Sequence, residues 1–223
     1  MKTNMIKGVN QRERAADWYK RFHFSDVITL MHIPFTIVVL DFVLIGAAMA
    51  PRIYVQRLVI SLIAIFSAHQ ISHFLDETKS RPWGTKISNG SLYVIGFLFM
   101  FISIVLGVYL AITVSFYLLL FAIAGIFLAV SYSLELWKER FHNSISFGLS
   151  CLLVYLGSFF LQSGTITLTS IIMSTAIGIQ GVYIIVLYEA TKNDSTSKLS
   201  WSILKGIIIM WTLITVALFF RNF

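Results

Sequence analysis

Apolar residues fall in long runs separated by short polar stretches, at positions 27–49, 53–75, 91–112, 115–134, 145–161, 168–187 and 202–220. At about 1.5 Å per residue, runs of this length match a hydrocarbon core about 30 Å thick. The pattern predicts an all-α fold, a polytopic transmembrane bundle of about seven helices. The fifth run is short and the third and fourth are almost fused, so six or eight spans also fit the pattern. Ahead of the first run, the segment DWYKRFHF interleaves aromatic and basic residues, as an interfacial helix does. No internal repeat, low-complexity tract or long linker interrupts the chain. The expected organisation is an interfacial N-terminal segment, 1–26, followed by one transmembrane domain, 27–223.

Composition agrees with a lipid environment. Hydrophobic residues make up 57% of the 223 residues and charged ones only 12%, with a mean hydropathy of +0.83, which excludes an ordinary soluble domain. The net charge of +7 is set by 17 Lys and Arg residues against 10 Asp and Glu. These basic residues form no aromatic-interleaved patch, so nucleic acid is not an expected partner. They divide unequally between the two sides of the bundle. Lys2, Lys7, Arg12, Arg14, Lys20, Arg21, Lys79, Arg81, Lys86, Lys138, Arg140, Lys192, Lys198 and Lys205 fall on one side, and only Arg52, Arg57 and Arg221 on the other. The asymmetry predicts a protein integral to the cell membrane with a cytoplasmic N-terminus. The single cysteine, Cys151, lies within an apolar run, so no disulfide framework is expected. The charged start of the chain does not read as a cleavable signal peptide.

Ionisable groups inside a membrane helix are costly unless they face a cavity or a partner. At the end of the second run, His69, His73 and Asp76 are spaced i, i+4, i+7 and share one narrow helical stripe, with Glu77 at its edge. Two imidazoles with one or two carboxylates form a half-site for a divalent metal. The nitrogens favour zinc or iron, and the carboxylates magnesium or manganese. Glu135, Glu139, His142, Glu189 and Asp194 are available to complete it. The simpler alternative has the histidines bonded to neighbouring helices and the acids paired with Lys79 and Arg81. Asp41, deep in the first run, calls for a bundle-facing partner, either a polar neighbour on another helix or a proton, in a structural or a functional role, while His32 reads as a packed histidine or as one facing the cluster, and Gln180 as a packed residue or one bonded across the bundle. Trp18, Tyr19, Trp83, Tyr132, Trp137 and Trp201 read as anchors at the membrane boundary.

The segment from His69 onward resembles the first signature of the UbiA-type intramembrane prenyltransferases. That signature carries an Asn-Asp-x-x-Asp-x-x-x-Asp pattern, then Arg-Pro and a Ser-Gly-Arg-Ile-Ser-like run. Arg81-Pro82 and Gly84-Thr85-Lys86-Ile87-Ser88 match its second half. In the acidic half, His69 and Gln70, His73 and Glu77 stand where the family has Asn-Asp, Asp and Asp. Residues 32–49 are similar to the family's first helix, and Tyr132-Ser133, Leu136 and Lys138 with Asn143 to its Tyr-Ser-x-x-Leu-x-Lys loop. Glu189, Asn193 and Asp194 are the remnant of its second acidic motif, and two C-terminal helices are missing.

The resemblance implies a shortened member that transfers a prenyl group from a prenyl diphosphate to a lipid or aromatic acceptor. It implies metal at His69, His73, Asp76 and Glu77, magnesium if the protein is a transferase. Arg81, Lys86, Lys138 and Arg140 would then neutralise the diphosphate. The competing reading is a non-catalytic structural or metal-carrying subunit of a larger membrane complex. A metal-dependent oxidase has weaker support, since few histidines are available, and a transporter also fits the apolar pattern. Membrane lipid is an expected partner in every case.

Overall fold

A computed structural model describes residues 24–79, 81–134, 141, 143–191 and 197–221. Among them all regular structure is α-helical, in eight helices: α1 (Phe24–Met31), α2 (Ile33–Ala48), α3 (Val55–Asp76), α4 (Asn89–Thr113), α5 (Leu118–Ser133), α6 (Ser144–Ser163), α7 (Leu168–Ala190) and α8 (Ser197–Arg221). Of these, α3, α4, α6 and α7 are long and apolar enough to cross a membrane. The pair α1 and α2, bent by 41° across a short break, makes a fifth if it counts as one span. Helix α5 has 16 residues and falls short of that length.

The break falls at His32, whose backbone is left-handed at φ 41° and ψ 58°. Pro34, in the first turn of α2, has no N–H to continue α1. A carbonyl freed within hydrocarbon is costly unless something donates to it. Here the Met31 carbonyl accepts from the Thr36 hydroxyl at 2.6 Å and from Gln70 Nε2 at 3.5 Å. The Gln70 amide also donates to Thr36 Oγ1 at 3.2 Å, so α1, α2 and α3 are tied at the break.

Helix α2 is the central element, with residues buried all along its length from Phe35 to Ala48. It meets α6 where Gly46 lies against the Tyr155 carbonyl, and a Cβ there would come within 2.6 Å of that oxygen. Helices α6 and α7 approach equally closely through Gly148, Gly178 and Gly181. Small residues at such crossings let backbones touch, the usual source of helix association in lipid. Around them Phe35, Phe42, Ile45, Tyr155, Ile177 and Ile184 form the main core. Buried Asp41 accepts a hydrogen bond from Thr212 at 3.0 Å, the first of the two partners its sequence position allows, and this joins α2 to α8. By contrast α4 exposes Val94, Phe97, Leu98, Phe101 and Ile112, a face suited to acyl chains.

Local signals set the helix ends. Ser88 and Asn143 cap α4 and α6 by accepting from Ser91 and Ser146 N–H groups. Thr167 and Ser170 form a reciprocal capping box on α7, and Gly164, at φ 72°, ends α6 in the left-handed conformation that glycine adopts without strain.

Candidate functional site

Between α2, α3, α4, α5 and α6 lies an elongated cavity of about 530 Å³. Ser61, Ala64, Ala68, Ser72 and Asp76 line it along a single face of α3. At 1.5 Å per residue that face runs about 22 Å, longer than the roughly 15 Å of one hydrocarbon leaflet. Small side chains make the space, among them Ala64, Ala68, Gly107, Ala122, Gly125 and Gly157. A Cβ added at Gly125 would meet nothing within 4 Å. The far end is apolar, closed by Leu110, Leu118 and Leu161 beside Ser61.

The other end is ionisable and aromatic, lined by His32, His69, His73, Asp76, Trp83, Tyr132, Tyr188 and Glu189. One turn of α3 separates His69 from His73, and their Nε2 atoms lie 3.1 Å apart. One ring therefore donates and the other accepts. Two nitrogens on a metal with bonds of about 2.0–2.1 Å lie roughly 3 Å apart, so the pair has the bite of a two-ligand chelate. Among the described residues, no three His, Cys, Asp or Glu side chains form a metal-holding group. Of the groups that sequence offers to complete the set, Glu135, Glu139, His142 and Asp194 lie outside the described residues.

His32 enters this end through the break between α1 and α2. Its ring stacks on Phe35 at 4.5 Å between centroids, lies 4.3 Å from Trp83, and meets His73 edge-on at 5.3 Å. Its Nδ1 is buried without a hydrogen-bond partner among the described residues. Sequence alone leaves it either packed or facing the cluster; Pro34 is the local sign of the break that turns it inward. Trp83 and Tyr132, expected as boundary anchors, line the cavity instead.

Two of the expected site residues are engaged elsewhere. Glu77 is fully buried. Its carboxylate accepts from the Thr85 N–H at 2.6 Å, the Thr85 hydroxyl at 2.8 Å and the Trp83 N–H at 3.1 Å. It folds the loop between α3 and α4 and so holds Trp83 against His32. Arg81, itself left-handed at φ 48°, donates to the Thr85 and Ile87 carbonyls and to the Asn89 side chain. Neither lines the cavity. The Lys86 side chain is exposed, and its N–H donates to Asp26 at 2.9 Å. Gln70 is buried beside the break rather than in the cavity. Glu189 reaches the cavity mouth from α7, whereas Lys138, Arg140, Asn193 and Asp194 lie outside the described residues.

The arrangement accommodates an amphiphile: a chain along the apolar length and a polar head among imidazoles, phenols and carboxylates. Comparison with protein families, with curated proteins and with solved structures finds no match to this chain.

Proposed function

We propose that this chain is a UbiA-like membrane protein that binds a prenyl-type lipid lengthwise in the cavity and transfers its prenyl group at the histidine end. The observation that carries this reading is the cavity itself, about 22 Å long from Ser61 to Asp76, apolar toward one end and ionisable at the other. In the reaction, the bond between the allylic carbon and the diphosphate oxygen breaks and its electron pair leaves with the diphosphate. The allylic carbon then bonds to a lipid or aromatic acceptor, which releases a proton. His69 and His73 are the pair that would hold a divalent ion, magnesium or, given the nitrogens, zinc or iron, with Asp76 lining the same end of the cavity. Such an ion would stabilise charge on the departing diphosphate. The aromatic rings of Trp83, Tyr132 and Tyr188, which line the same end, suit a cationic carbon. Lys138 and Arg140 are the proposed diphosphate cations.

In this reading the chain crosses the membrane seven times. The bent pair α1 and α2 forms the first span, α5 and α8 cross as well, and the N-terminus and histidine end are cytoplasmic. A second reading, a non-catalytic lipid- or metal-carrying subunit of a membrane complex, is favoured by a specific observation. No Lys or Arg is found among the described residues lining the cavity, and Glu77 and Arg81 are committed to the loop.

Extraction of co-purified lipid, with mass spectrometry, tests the cavity. The wild type should carry an isoprenoid lipid and Gly125→Leu, which fills open space, should carry little. Equal recovery from both would refute lengthwise binding. Metal-dependent turnover of a prenyl diphosphate then separates the two readings, since a carrier shows none.

A further inference from the structure

The opposite end of the bundle brings two arginines together, with no acidic side chain in the loops around them. Arg52 and Arg57 both lie over the ring of Tyr54, with guanidinium carbons 5.0 and 4.2 Å from its centroid. Like charges drawn to one ring repel each other unless an anion joins them. The loops at this end, 49–54, 114–117 and 164–167, contain no Asp or Glu.

Two further donors converge here. Tyr54 precedes the first residue of the 22-residue α3, and no side chain caps that terminus, so the first-turn N–H groups and the positive end of the helix dipole face outward. Beside them lies Gln162, only 3% exposed. Its Oε1 accepts from the Tyr54 N–H at 2.7 Å, which fixes the orientation of the amide. Its Nε2 is consequently a buried donor at the α3 terminus with no partner among the described residues. Leaving such a donor empty is unfavourable.

We propose that Arg52, Arg57, Gln162 and the first turn of α3 form a binding site for a phosphate group. A tetrahedral oxyanion suits this set: guanidinium forks grip two of its oxygens, while backbone N–H groups and an amide donor take others. It would also relieve the repulsion between the two arginines. Arg57 donates to the Leu161 carbonyl at 3.2 Å and stands one helical turn before Ser61, and both Leu161 and Ser61 line the far end of the cavity. A phosphate bound here therefore sits just beyond the cavity floor. The ligand is either the headgroup of a phospholipid or free phosphate.

Native mass spectrometry of the full chain in a neutral detergent distinguishes these. Phosphatidylglycerol should bind and diacylglycerol, which lacks the phosphate, should not. The double substitution R52Q/R57Q should weaken phosphatidylglycerol binding by about tenfold or more. Gln162→Glu should do likewise, because it keeps an oxygen for the Tyr54 N–H and replaces the donor with a negative charge. Arg57→Lys, which retains the charge, should keep most of the binding and controls for folding, with melting curves recorded for every variant. If R52Q/R57Q does not fold, Gln162→Glu and the single change at exposed Arg52 decide the matter. Competition by millimolar inorganic phosphate assigns the site to free phosphate, and its failure assigns the site to the headgroup. Equal phosphatidylglycerol affinity in the wild type and folded variants, or no binding of either probe, overturns the proposal.

Discussion

Replacing Glu77 by glutamine separates a structural carboxylate from a metal-binding one. The substitution keeps the size of the side chain and one carbonyl oxygen. That oxygen can still accept from the Thr85 N–H and hydroxyl, now at 2.6 and 2.8 Å from Oε1. The new NH2 must then face the Trp83 N–H, now 3.1 Å from Oε2, so a hydrogen bond becomes a contact between two donors. One lost charge-assisted bond with a buried donor left unsatisfied costs about 1–3 kcal/mol. For a chain of this size that lowers the melting temperature by roughly 3–10 °C. Glu77→Ala removes all three acceptor contacts and costs roughly 3–6 kcal/mol, a large share of a typical folding free energy of about 5–15 kcal/mol. Thermal melts in detergent, with and without EDTA, check the reasoning. The expected drop for Glu77→Gln is the same in both conditions, because the carboxylate acts on the loop. A variant that melts with the wild type, or a difference that disappears with EDTA, would refute it and return Glu77 to the metal.

Two other predictions concern packing and orientation. Gly148→Ala places a Cβ 2.5 Å from the Gly178 carbonyl oxygen and 2.6 Å from Val182, so α6 and α7 must separate at a cost of about 1–3 kcal/mol, read as a lower melting temperature. Gly125→Ala, in open space, should change it far less. In a Cys151→Ala background, a cysteine at exposed position 86 should react with a membrane-impermeant reagent only from the cytoplasm, and one at exposed position 165 only from outside. The reverse pattern would invert the proposed orientation.

The helices were legible because burial in lipid demands unbroken apolar runs, and each run in the sequence contains helix among the described residues. The stripe of His69, His73 and Asp76 was legible for the same periodic reason: residues i, i+4 and i+7 share a face whatever surrounds them. Glu77 is the next residue after α3, where that periodicity no longer determines direction, and only the path of the following loop decides what its carboxylate meets. Arg81 illustrates the same limit, since its left-handed backbone turns the guanidinium toward carbonyls a few residues ahead. The contact between His32 and Trp83 was not legible, because it depends on a break in one helix and a loop from another. A cavity at the histidine stripe is expected from the cost of ionisable groups in lipid, but its walls were not legible, for they arise from small residues on α3, α4, α5 and α6 that acquire meaning only once those helices face each other.

The break at His32 places a constraint on Gln70. The left-handed residue at the bend is tolerated because the carbonyl of the residue before it, Met31, is supplied with donors, and Gln70 is one of the two side chains among the described residues that do so. An aspartate, which stands at this position in the family pattern, has no N–H to give and would set negative charge beside an oxygen already seeking a proton. The amide is therefore the complement of the bend between α1 and α2, since an acid at position 70 would bring the Met31 carbonyl no donor. The letters that distinguish this chain from its resemblance are thus coupled, one residue's backbone dictating another's chemistry across two helices.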